Sequence, residues 1–354
     1  MAGDIDMPEA LFPGIDERGR PMPAPGPLLH DYGLRVRIGI GGGGAPGAPI
    51  NEEELSSQER LGLSAFRMRL SDSYKGAKSD RAYAGAEWGG GDGDRPRLHR
   101  DERAVVRGAP ILPEPEDGPA PAPEARRLSG RVAVGIVLVS GPGRLAMSSS
   151  QKQKIIAEIQ NGLSYLGGAA PARDVTFVYD IKEPQIALPD TTGEPPAGSG
   201  IDAQYEFYER PWRDGALAAM GFQPGGNGIR SYIRQIKAEK RAQAAYCCFF
   251  THYRLYHFAY CSGSYLTMSY ENDGWGVDNL DRVFAHETGH VFGAPDEYAE
   301  SGCNCGGSWG FFGRPNLNCE NCADGGGVSC IMKRNSWDMC SETPFHLGYV
   351  TNVA

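Results

Sequence analysis

His286-Glu287-Thr288-Gly289-His290 sets two imidazoles four residues apart, with a carboxylate directly after the first. On an α-helix, residues four apart differ by about 40° around the axis, so both rings project from one face and can share one ion. Glu287 lies about 100° from His286, close enough to orient a water beside that ion without binding it. Zinc suits the set, because it accepts imidazole nitrogen and leaves a position open for water. Three residues after His290 comes Gly293, followed by Ala294, Pro295 and Asp296. A glycine there can take a positive φ, end the helix and turn the chain back toward the ion, placing Asp296 as a third ligand. Glu320 is the rival third ligand, but residues 313–327 are rich in Gly, Asn and Pro and do not read as a helix. Glu297 reads as a neighbour of the centre or a calcium ligand.

The pattern HExxHxxGxxD resembles the metzincin signature of zinc endopeptidases, HExxHxxGxxH, with Asp in third place as in the snapalysin-like branch. Cys330-Ile331-Met332 resembles the Met-turn of the adamalysin (reprolysin) branch, which makes Met332 the candidate for the residue beneath the metal and Met339 the fallback. The resemblance covers 129–354 in its order of elements and about eleven residues tightly. It implies a zinc endopeptidase acting on protein or peptide substrates, with His286, His290 and Asp296 on the metal and Glu287 as general base. It also implies an edge strand ahead of the zinc helix that holds substrate in extended form, and Phe258 to Ser264 takes that place. Arg334 stands two residues after Met332, where some branches carry a Tyr, so no such Tyr is assigned. The plainer alternatives are surface helix histidines, or zinc held for structure in a non-catalytic binding or adhesion domain.

The elements that must position these residues begin at Ser129. Arg131 to Val139 is a continuous apolar run of buried-strand type. Ser148 to Ser150 offer N-caps for a helix whose Ile155, Ile156, Ile159, Leu163 and Leu166 share one face. Val175 to Ile181 is a second strand, a Pro/Gly-rich excursion covers 184–200, and Ile229, Ile233 and Ile236 mark a second helix running to about Ala242. Tyr246–Thr251, Tyr256–Cys261 and Tyr265–Tyr270 are further strands, and 278–292 is the helix carrying the histidines. This alternation predicts an α/β fold: a metzincin-like domain over 129–354, with a twisted mixed sheet and an active-site helix.

Residues 1–128 read differently. Of the 354 residues, 49 are Gly and 26 Pro, and this segment holds 20 Gly and 15 Pro. It predicts a largely irregular, low-complexity tail, linker or pro-segment, with a strand at 34–40, a helix at 52–70 and an extended linker at 110–123. It contains no Cys that could ligate a metal.

All nine Cys lie at or beyond Cys247. Cys303, Cys305, Cys319 and Cys322 come as two close pairs, which fits either disulfides across a Gly-rich loop or a second, structural zinc site. Asp296, Glu297, Glu300, Asn304, Asn316, Asn318, Glu320, Asn321 and Asp324 supply oxygens for a calcium ion, or serve as ordinary turn residues. His252 and His257 read as strand-surface or core residues, His346 as a candidate wall of the substrate site, and Trp212, Trp275, Trp309 and Trp337 as packing residues. The net charge of −9 speaks against nucleic acid or anionic membranes as partners. No apolar run reaches membrane-spanning length, and the start shows no secretory signal, so the Cys content alone suggests an exported protein.

Overall fold

The computed structural model of the chain describes residues 9–16, 20, 22–41, 50–89 and 126–350. Eight strands form its sheet: β1 (Glu9–Phe12), β2 (Leu28–Asp31), β3 (Arg37–Ile40), β4 (Arg131–Leu138), β5 (Thr176–Lys182), β6 (Ala244–Thr251), β7 (Ala259–Cys261) and β8 (Tyr265–Ser269). Their spatial order is β1-β3-β2-β5-β4-β6-β8-β7. The strands β2, β5, β4, β6 and β8 run parallel, while β3 and the edge strand β7 run against their neighbours.

The central strand β4 is apolar on both faces because both faces are covered. Val132, Val134, Ile136 and Leu138 point into a core shared with α1 (Ser57–Leu70), α3 (Ser149–Ala169) and α6 (Leu280–Val291). Ala133 and Val137, with Val139 just beyond the strand, point the other way, against α4 (Ile201–Ala219) and α5 (Gly225–Glu239). The architecture is therefore α/β, a mixed sheet between two helical layers. Helix α3 starts as the serines suggest: Ser148 Oγ accepts from the Gln151 amide, and the Gln151 side chain accepts from the Ser148 amide at 2.8 Å. Directly after the 184–200 excursion comes α4, a helix that sequence patterning missed. Its Tyr205, Tyr208, Trp212 and Ala216 form a buried face, but Pro211 interrupts the pattern by removing a hydrogen-bond donor.

The sheet crosses the boundary expected at 128/129. Strands β1–β3 extend it beyond β5, and α1 and α2 (Asp72–Ser79) follow them. Much of the Gly/Pro excess falls outside the described residues, the 110–123 linker included, and the strands between are only four residues long, below what an averaged composition reveals. They are tied in by polar bonds. The His30 ring on β2 sits 2.7 Å from the Tyr179 hydroxyl and 2.9 Å from that of Ser164, fully buried, and burial pushes its pKa down to about 3. Arg69 at the end of α1 grips Glu9 with two bonds of 2.8 and 3.0 Å.

Candidate metal centre

Helix α6 is fastened at its first turn. Asp281, fully buried, accepts from Lys78 at 2.9 Å, Arg81 at 3.0 Å and Asn161 at 2.7 Å. Burial alone would raise its pKa, but the charges of Lys78, Arg81 and Arg282 hold it below the usual carboxylate range. The segment 72–81 thus anchors the helix that carries the site.

At the far end the helix stops as Gly293 implies. Gly293 takes φ +89°, its amide donates to His290 O at 2.9 Å, and the Ala294 amide donates to Gly289 O at 3.0 Å. These are the two bonds of a Schellman-type stop. The reversal brings Asp296 back beneath the helix. His286 Nε2 and His290 Nε2 are 3.1 Å apart, and Asp296 Oδ1 lies 3.2 Å from the first and 3.1 Å from the second. The three residues are those that sequence spacing names, and they form a group that could hold a metal ion.

Hydrogen bonding on the other ring nitrogens shows why a cation fits. His286 Nδ1 faces Ile331 O at 3.1 Å and His290 Nδ1 faces Ala294 O at 2.7 Å. Those carbonyls only accept, so both Nδ1 atoms carry the proton and both Nε2 atoms present lone pairs. Asp296 Oδ1 is buried without a hydrogen-bond donor. Three lone pairs within a 3.2 Å triangle repel one another unless something positive lies among them. An ion about 2.0–2.1 Å from nitrogen and oxygen in tetrahedral array needs ligand atoms about 3.3–3.4 Å apart, close to what is seen. With no ion a proton takes that role. Burial opposes it, but Asp296, Glu287 and the Ala294 carbonyl together raise the His290 pKa to about 10, while burial keeps that of His286 down.

Glu287 is buried on the adjoining face, where its charge reaches both His290 and the Cys248 thiol on β6. Met332 packs under the helix against Gly289: its Sδ lies 2.8 Å from where a Cβ on Gly289 would sit, so a larger residue there would push the thioether aside. Met332 O also accepts the Glu297 amide at 3.0 Å, fixing the residue after Asp296. Met339, the fallback, is a partly buried packing residue.

Sequence reasoning missed Trp88. This fully buried indole donates to Ile331 O at 2.7 Å, the carbonyl that also orients His286, and its ring centroid lies 5.4 Å from that of His286. The strand-like stretch 85–88 pairs with 333–335, and Glu87 meets Arg334 at 2.9 Å. A tryptophan beside a glycine run gave only a weak signal. Trp88→Phe keeps the packing but removes the donor, so metal affinity is expected to fall by up to about tenfold, read by competition with a chromophoric chelator. Unchanged affinity would reduce Trp88 to a packing residue.

The remaining candidates lie elsewhere. Glu320 accepts from the Ala299 amide at 2.8 Å and takes no place at the centre. The four-Cys zinc site is overturned: Cys303 pairs with Cys319 and Cys305 with Cys322 as disulfides, leaving no thiolate for an ion. Cys247, Cys248, Cys261, Cys330 and Cys340 are buried thiols. The loop amide nitrogens donate within the loop, Asn316 to Asp296 O, Asn318 to Glu297 Oε2 and Asn321 to Ala299 O. His252 lies 3.8 Å from Glu271, and His257 packs on Tyr205. His346 is fully buried near Gly310, where burial lowers its pKa to about 4, so it forms no open wall. Trp212 and Trp275 are buried, as packing residues should be.

No family model, curated protein or solved structure matches this chain. The two disulfides fit an oxidising environment, and among the described residues no helix is long and apolar enough to cross a membrane.

Proposed function

We propose that the chain is a zinc-dependent endopeptidase of metzincin type, hydrolysing peptide bonds of protein substrates. The observation that carries this reading is the convergence of His286, His290 and Asp296 on one point, with Glu287 on the next turn position and Met332 beneath. A zinc ion held there would polarise a substrate carbonyl and acidify a water. Everything else falls to the chain. The Ile331 and Ala294 carbonyls hold both imidazoles in the ligating tautomer. Glu287 takes the proton of the attacking water and passes it to the leaving amine. The antiparallel edge strand β7 offers main-chain groups to an extended peptide, a mode that gives affinity with little sequence selectivity.

Incubation of the purified chain with a library of unstructured peptides, followed by mass spectrometry of new termini, tests the reading. Cleavage that stops with a chelator and returns with zinc is expected. Bound zinc without any cleavage would leave a binding domain instead.

A further inference from the structure

A second cluster lies beneath the same turn. Glu297, Cys330 and Cys340 bring one carboxylate oxygen and two sulfurs within 4.8 Å of one another, all buried. Cys340 Sγ sits 3.1 Å from Glu297 Oε1, and Thr343 Oγ1 lies 3.1 Å from Cys330 Sγ, 3.3 Å from Cys340 Sγ and 3.3 Å from Glu297 Oε1. We infer that Glu297, Cys330 and Cys340 form a second, structural site for a soft divalent cation of the zinc class, with Thr343 closing its fourth side.

Two independent features point to a cation. The first is the backbone around the sulfurs. The amides of Glu342 and Thr343 both donate to Cys340 Sγ at 3.4 Å, and the amide of Cys340 donates to Cys330 Sγ at 3.4 Å. A neutral thiol is a weak acceptor, whereas a thiolate both attracts such donors and is the form that binds metal. The second is Glu297, fully buried, for which the described residues provide no Lys, Arg or His partner within ion-pair distance; its side-chain donors are uncharged groups, the Asn318 amide at 2.6 Å, the Cys340 thiol at 3.1 Å and the Thr343 hydroxyl at 3.3 Å. A buried carboxylate must be neutralised or coordinate a metal. Two sulfurs about 2.3 Å from zinc in tetrahedral array stand about 3.8 Å apart, inside the observed spread. Three anionic ligands leave one excess negative charge, which the amide donors share.

The position gives the site a purpose. Glu297 follows Asp296, and its amide holds Met332 O; Cys330 precedes Ile331, whose carbonyl orients His286. An ion here would clamp the third-ligand loop to the turn beneath the histidines. Binding expels the protons of both thiols and of any protonated Glu297, with no change in oxidation state. The inference stands whether or not the His centre is catalytic.

The test uses the full chain loaded with zinc and then with cobalt. Two metal ions per chain are expected, matching the two ligand groups, with thiolate-to-cobalt charge transfer in the near ultraviolet. Cys330→Ser, Cys340→Ser or Glu297→Gln should lower the count to one, and the two serine variants should weaken or abolish that band. His286→Ala should keep it. If a variant does not fold, the cobalt spectrum of the unaltered chain decides. A Cys330–Cys340 disulfide in a non-reducing peptide map, or free thiols without the charge-transfer band, overturns the site.

Discussion

Glu287→Gln is expected to slow peptide hydrolysis by about 10²–10⁴-fold, the range that a positioned general base contributes. The substitution keeps shape and volume and removes only the ability to take a proton. Metal content should stay at the level of the unaltered chain, because the proposed ligands are His286, His290 and Asp296 and both imidazoles keep their carbonyl acceptors. The loss should fall in kcat more than in KM, since a proton shuttle acts in the transition state and not in binding. Peptide turnover and metal content on one preparation check both halves. Loss of metal together with activity would move Glu287 from the chemistry to the scaffold.

Asp281→Ala carries the largest expected effect on stability. It leaves Lys78 and Arg81 largely buried beside an empty space, and breaking a buried ion pair from one side costs about 3–5 kcal/mol. The carboxyl is held below its ordinary pKa, so in the folded chain it stays ionised to lower pH than in the unfolded one. Its contribution is therefore full above the unfolded value of about 3.9 and is lost as pH falls toward the folded value. Denaturant unfolding at neutral pH should show the difference, and it should shrink in acid. A near-neutral substitution would mean that segment 72–81 does not anchor helix α6, against the network of Lys78, Arg81 and Asn161.

What was legible in the sequence was local. The spacing of His286, Glu287 and His290 needs only one helix, and Gly293 needs only one turn, so the centre and the bend to Asp296 could be read from a dozen residues. Met332 was placed by resemblance, and the structure sets it against Gly289. What was not legible depends on partners far along the chain. Strand β3 is held between β1 and β2, and β2 lies on β5, some 147 positions away (His30 beside Phe177). Trp88 reaches Ile331 across 243 positions, and nothing in its neighbours announces that. The pairing of Cys303 with Cys319 and Cys305 with Cys322 crosses the two close pairs, and spacing alone does not choose among such pairings.

The most direct measurement of the central claim follows one cleaved peptide as zinc is returned to the chelated chain. The account predicts a baseline rate without metal, recovery as zinc is added, and no recovery in Glu287→Gln even with zinc bound. Hydrolysis that ignores the chelator, or a Glu287→Gln chain as active as the unaltered one, would contradict it.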